Sequence, residues 1–517
     1  MRISTNTIYD LGVSAMQLQT QQLIQTQQQL SSGLRILSPA DDPVAAAQAL
    51  QVSQSQSINT QYGTNVNTAS TSLTLEGSTL GSITTLLQSI RNITVQAGDP
   101  TLNKSDLATL ANTLSGNYQD LLGLANSTDA SGQYLFSGYQ GNVRPFSQTA
   151  PGVVAYNGDQ GQRLVQVSPS RQIAVSDAGA DVFQRIPAGN GTFVTQAGGG
   201  NTGQGVIDAG TVLNPANWNA ASDKSYSIDF AATATLTPAA TNTAGGASGT
   251  AGIVDQTLWN AGSQNYSIAF TSPTTYNIVD NASNTTVVTG AAYTSGTPIS
   301  FQGADVVITD GSGGVTPQAG DSFAIAPGAP PGLTYDIVDN ASGKSMLTGL
   351  AAGAPPYARS FTPGASISLK SQGSEPAFDL GIATTIAGTP NAGDTFSINP
   401  SANQDVFKTI GDLVSLLQSA PSGAALTNGL IGAQQNLDNA LQNISTAKAS
   451  TGTRLNELDS AQTNVSNQNL QFSQTLSTLK DVDYTRAASD LAREQVNLQA
   501  AQQSFAKVAG LSLFSYL

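Results

Sequence analysis

The chain has 517 residues, a net charge of −14, no cysteine and no histidine, and only 10% of its residues are charged. Those two absences remove disulfides, thiolate and imidazole nucleophiles and ordinary zinc sites, leaving an enzyme only two-carboxylate chemistry, for which carboxylates flanked by aromatic sugar platforms are scarce. Acids outnumber bases 16 to 7 over residues 151–400 and 17 to 12 elsewhere, which argues against nucleic acid, and no apolar run reaches the roughly 18 residues of a membrane helix.

No catalytic residue, cofactor or metal site is therefore expected. The length calls for several domains, and the start MRISTNTIYD lacks the apolar core of a secretory signal.

The first predicted element is a helix over Ile8–Leu34. Within it Met16–Leu30 holds eight glutamines in fifteen residues and no charge, while Ile8, Leu11, Leu18, Leu23 and Leu30 form an apolar stripe. Three readings stand side by side: a disordered low-complexity tract, an ordinary surface helix, which should carry charges, and a helix enclosed by copies of itself, with packing inside a single bundle as the bland alternative to the last. In the third, buried ions would cost several kcal/mol, whereas amides can donate and accept locally. An arm of this kind, alone in the monomer, does not offset its ordering entropy, so it is expected to fold on assembly.

After a break at LRILSPADDP, a long helix is expected from about Val44 to Ala97. Asp41 or Asp42 can cap it, Pro43 suits its first turn, and Val66, Ala69, Leu73, Leu80, Ile83, Leu87 and Ile90 keep a 3.5-residue register with Glu76 as the one lapse. At 1.5 Å per residue it extends roughly 80 Å and needs a partner helix. A shorter helix starting near Ser105, which can cap it, carries Leu107, Leu110, Leu114, Tyr118 and Leu121 on one side.

From 151 to 400 heptads give way to short strands and turns, with internal repeats. WNAASDKSYSIDF (218–230) matches WNAGSQNYSIAF (259–270), YNIVDNASNTTVVTG (276–290) matches YDIVDNASGKSMLTG (335–349), and PQAGDSFAIAP (317–327) matches PNAGDTFSINP (390–400). Trp218 and Trp259 occupy equivalent places, as core anchors or as sugar platforms.

The chain closes on a long helix over about 405–480 with Leu437, Leu441, Ile444, Leu455, Leu458, Val465, Phe472, Leu476 and Leu479 in one register. The register slips at Asp481-Val482-Asp483, and a second series follows through Tyr484, Ala487, Leu491, Leu498, Ala501, Phe505 and Val508. The two ends mirror each other.

The expected fold class is α+β and multidomain: a long helical coiled-coil bundle built from both termini, with inserted all-β outer domains containing the repeats. Its domains are 1–43 paired with 484–517, 44–147 with 401–483, and an inserted 148–400. The insert reads as one β domain or as two, about 148–215 with 317–400 and 216–316.

SSGLRILSPADDPVAAAQAL (31–50) and the mirrored arms resemble the flagellin superfamily. Within it, GQYLFSGYQGNVRPF (132–146), AYNGDQGQRLVQVSPSRQIAVSDAGADVF (155–183) and QQSFAKVAGLSLFSYL (502–517) are similar to the branch found between hook and filament. The resemblance implies a secreted structural subunit of the bacterial flagellum, assembled as a homo-oligomeric ring between hook-filament junction protein 1 and flagellin. It also implies type III export with a chaperone on the C-terminal helix. Carried onto this sequence, it puts Leu18, Leu23, Leu30, Leu491, Leu498, Phe505 and Val508 in an axial assembly interface. Arg454, Glu457 and Asp459 are candidates for contacts between subunits, or plain solvated helix charges. The competing readings are a flagellin-like filament subunit and a secreted carbohydrate-binding or adhesive β protein.

Overall fold

The computed structural model describes residues 5–510 apart from 151, 244–245, 329–331, 353–356, 358 and 422. The helices are α1 (Thr5–Ser32), α2 (Pro43–Ala97), α3 (Lys104–Ala125), α4 (Gly179–Phe183), α5 (Pro215–Ala220), α6 (Gln256–Ala261), α7 (Val406–Ser419), α8 (Ala424–Lys480) and α9 (Tyr484–Gly510). Two compact units result, one of Met1–Thr74, Arg163–Val175 and Thr451–Leu517, the other of Leu75–Gln162 and Ser176–Ser450. The division falls inside α2 and α8. Terminal helices around a β-rich middle make up the α+β class expected from the sequence.

In the first unit the heptads of α2 meet those of α8 and a β-hairpin. Val66, Ala69 and Leu73 bury against Leu458 and against Val167, Ile173 and Val175 of the hairpin formed by Leu164–Ser168 and Arg171–Ala174. Farther along, Asn59 is buried and donates through Nδ2 to Val465 O at 2.8 Å and to Asn469 Oδ1 at 2.9 Å. That bond accounts for a polar residue at seam position 469, because a buried amide without partners would be costly.

In the second unit Leu80, Ile83, Leu87 and Ile90 of α2 form one core with Leu437 and Ile444 of α8, Leu107, Leu114, Tyr118 and Leu121 of α3, and Phe407, Ile410, Leu413 and Leu417 of α7. Glu76, the lapse in the register, is fully buried, and its Oε1 accepts the Asp177 amide at 3.1 Å. Two expectations are corrected here. Helix α3 is capped by Asn103 in a capping box with Asp106, not by Ser105. The stretch 405–480 is two helices, since α7 ends at Ala420 in the left-handed region (φ 44°), immediately before Pro421, and α8 begins at Ala424.

The segments 132–146, 155–161 and 176–183 converge on one aromatic cluster. Phe136 and Phe183 lie 5.2 Å apart edge to face, with Phe146 at 5.3 Å from both Phe183 and Phe407. Tyr156 Oη donates to Asp159 O at 2.7 Å and accepts the Gly179 amide.

The β region holds two apolar cores built to one plan. Strand Tyr226–Pro238 is flanked by Leu333–Asp339 and Thr395–Pro400; strand Tyr266–Ser272 is flanked in the same order by Thr275–Asp280 and Ser322–Pro327. The registers coincide: Ile228 faces Ile337 and Phe396, as Ile268 faces Ile278 and Phe323. Asp394 accepts amides of Thr202, Gly203 and Asn391, while its counterpart Asp321 accepts those of Thr243 and Gln318. The second set lies between the first and second strands of the first set, so one repeat is nested in the other. Strand Tyr226–Pro238 serves both cores, Ile228 and Phe230 packing in one and Ala232, Ala234 and Leu236 against the other.

Trp218 and Trp259 sit in the equivalent short helices α5 and α6, 2% and 0% exposed, each packed on the tyrosine that opens the next strand. Neither ring face is open, so the sugar-platform reading of these residues is withdrawn.

Candidate assembly interface

Helices α1 and α9 lie against each other within the first unit. Along α1 the residues turned inward include Gly12, Met16, Gln19, Leu23, Thr26 and Leu30, alternating steps of four and three; along α9 they are Ala487, Leu491, Glu494, Leu498, Ala501 and Phe505. This is a two-helix seam with a heptad period.

Each end of the seam has a specific lock. Tyr9 and Phe505 approach to 4.9 Å between ring centroids. A Cβ on Gly12 would stand 2.7 Å from the Phe505 ring, so the close approach requires glycine. At the other end Gly33 has φ 74°, Leu34 bridges Asp481, the Arg35 amide donates to Lys480 O at 2.6 Å, and the Val482 amide donates to Gly33 O at 2.9 Å. The Arg35 guanidinium also donates to Leu479 O at 2.8 Å and pairs with Asp42 at 3.2 Å. The Ala45 amide, helped by Arg35, holds the Asp42 carboxyl below its usual range. Asp41 accepts amides of Leu37 and Ser38, and Asp483 caps α9 through Thr485 and Arg486. LRILSPADDP and the slip at 481–483 are thus the two halves of one joint.

The middle of the seam is imperfect. Thr26 Oγ1 donates to Glu494 Oε1 at 3.3 Å, but Gln19 Oε1 and Glu494 Oε2 are buried with no hydrogen-bond partner.

Of the residues singled out from the sequence, Leu23, Leu30, Leu491, Leu498 and Phe505 meet in this seam, half-buried. Leu18 does not. It is 60% exposed, on the outer side of α1 with Leu11 and Ile24. The apolar stripe as drawn mixed two faces of the helix; the positions it missed, Gly12, Met16, Gln19 and Thr26, are marked only by the three-four alternation that runs through Leu23 and Leu30. The side chain of Val508 and the ending LFSYL lie outside the described residues.

Outside the seam α1 shows Gln17, Gln21, Gln22, Gln25, Gln27 and Gln28 to solvent beside Leu11, Leu18 and Ile24, and carries no charge between Asp10 and Arg35. Helix α9 differs, with an exposed Arg493 on Asp490.

Arg454 and Glu457 are engaged within the chain. Both reach the hairpin: Arg454 donates to Ala174 O, and Glu457 pairs with Arg171, whose Nη2 is 2.8 Å from Oε2. The Arg171 guanidinium holds the Glu457 carboxyl below its usual range. Asp459 is exposed.

Both ends of the chain match known helical families. Residues 3–141 match the bacterial flagellin N-terminal helical region and residues 434–517 the C-terminal helical region. Flagellar hook-associated protein 3 of Salmonella typhimurium is 37% identical over 186 residues, 36% of this chain and 58% of the relative. Its Escherichia coli counterpart is 34% identical over the same length and shares. The chain thus spans less than two thirds of the length of these relatives. The crystal structure of flagellar hook-associated protein-3 from Legionella pneumophila superposes with a TM-score of 0.57 at 23% identity, covering 83% of this chain and 98% of that one. At that identity the likeness shows a shared fold. Among the described residues no helix is long and apolar enough to cross a membrane.

Proposed function

We propose that this flagellin-type chain is a structural component of the bacterial flagellum, assembling as a ring of copies at the junction between hook and filament. The observation that carries this reading is the outer face of α1, where an uncharged run of amides surrounds exposed Leu11, Leu18 and Ile24 while the opposite face is closed by α9. Covering each of those side chains with a neighbouring copy contributes on the order of 1 kcal/mol, and the amides pair across such a contact without the desolvation cost of ions. The names of the relatives and the shared fold support the placement at the junction.

In this reading 1–43 and 484–517 form the axial element, 44–147 and 401–483 the surrounding tube, and 148–400 the outer surface. The ring meets hook-filament junction protein 1 on one side and flagellin on the other. Export is by the flagellar type III route, with a chaperone on the C-terminal helix before assembly, and the arms take their final order from neighbouring copies.

The decisive experiment is seeded assembly. Purified protein added to hooks capped with the first junction protein is expected to add a short ring, stop, and then accept flagellin. Indefinite growth would instead make it a filament subunit, and no addition would overturn both readings.

A further inference from the structure

Strands Tyr226–Pro238 and Leu333–Asp339 run antiparallel, with Asp229 directly opposite Asp336. Both lie on the side of the sheet turned away from Ile228, Phe230, Tyr335 and Ile337, because side chains alternate along a strand. Directly opposed residues on neighbouring strands have Cβ atoms about 4.5–5.5 Å apart, a separation at which like charges repel.

Among the described residues no cation is ion-paired or hydrogen-bonded to either aspartate. Arg359, on the short strand that pairs with Leu333–Asp339, is committed to Glu375 through two contacts at 2.6 and 3.0 Å and to the carbonyls of Ser368 and Lys370. The other titratable groups on this side are Glu375, Asp305 and the buried Tyr357, which add negative charge or none. Asp336 is 3% exposed, and its Oδ1 accepts from Ser345 Oγ at 2.6 Å and from the Ile337 amide at 2.8 Å. Asp229 Oδ1 is buried and has no hydrogen-bond partner.

Two buried carboxylates opposed across neighbouring strands, one of them with an unsatisfied oxygen, have one inexpensive arrangement: one acid protonated, its hydroxyl donated to the other. We infer that Asp229 and Asp336 share a single proton in the folded protein once the medium is mildly acidic, and that this proton makes the stability of the β region rise as the pH falls.

Burial pushes the Asp336 carboxyl up to about 6, with Asp229 and Glu375 adding to the rise, and burial raises Asp229 as well. A folded-state value above the ordinary one means that the folded protein holds a proton the unfolded chain has released. The resulting stability is complete below the unfolded-state value of about 4 and is lost as pH rises through about 6.

Trp218 and Trp259 both lie in this β region, so urea unfolding of the full chain followed by tryptophan fluorescence reports on it. Asp336→Asn keeps the Oδ1 acceptor and removes the charge. The variant is expected to be the more stable protein at pH 7.5. Its advantage in the folding constant should shrink by about thirtyfold between pH 7.5 and pH 4.5, a tenfold change for each of the roughly 1.5 pH units below the folded-state value. Asp229→Asn should behave alike, and the double variant should gain little over either. Parallel pH profiles for wild type and both variants would overturn the inference. If a variant does not fold, carboxyl carbon-13 titration of the native wild-type protein decides: an aspartate midpoint near pH 6 supports the shared proton, and midpoints all below about 4.5 refute it.

Discussion

The amide of Arg35 donates to the carbonyl of Lys480, joining residues 445 positions apart at 2.6 Å. This bond, with the Leu34–Asp481 bridge beside it, fixes α1 and α9 at one level, so the two arms enter their seam in a single register. Everything beyond the joint depends on that register, because a seam of mixed amides, glycine and apolar groups specifies alignment weakly by itself.

Gly12→Val should loosen the far end of the seam. The new side chain runs into the Phe505 ring, and overpacking of this kind costs about 1–3 kcal/mol. Hydrogen exchange should accelerate in α1 and α9 while α2 and α3 stay protected, and Phe505→Leu should restore much of the lost protection.

Gln19→Leu should act in the opposite direction. It removes a buried acceptor that has no partner and adds apolar surface to the seam, stabilising the α1–α9 pair by about 1–2 kcal/mol. Slower exchange of the α1 amides is the readout. Unchanged or faster exchange would mean that the Gln19 amide has a role the two-helix pair does not display.

The hairpin over Leu164–Ala174 is held by its apolar face. Ile173→Ala removes a side chain 2% exposed in the core shared with Leu73 and Leu458, at a cost of about 2–4 kcal/mol. Arg171→Ala breaks an exposed ion pair and should leave the melting temperature nearly unchanged at any salt concentration. A large loss on Arg171→Ala would reverse this ranking.

Trp259→Ala should unfold its own repeat, costing about 3–5 kcal/mol for a fully buried ring. Glycan arrays probed with wild-type protein should show no binding that either tryptophan governs, because both rings are closed to solvent. Binding lost on substitution with the fold intact would restore the adhesive reading.

The sequence by itself determined the long helix α2 and its inward face. A heptad is a local signal: Val66, Ala69, Leu73, Leu80, Ile83, Leu87 and Ile90 lie inside because each follows the last by three or four residues, whatever the partner. The repeats were legible as well, since duplicated strands keep their side-chain pattern. Only the tertiary structure decided which turns of α1 face α9, because glutamine and glycine occupy seam positions that hydrophobicity does not mark. It also decided that Arg454 and Glu457 are engaged within the chain, that one repeat is nested inside the other, and that Asp229 stands across from Asp336. Those facts reside in pairings between residues from about 100 to 500 positions apart, and strand register or helix seating over such a distance is set by the packed whole, not by neighbours along the chain.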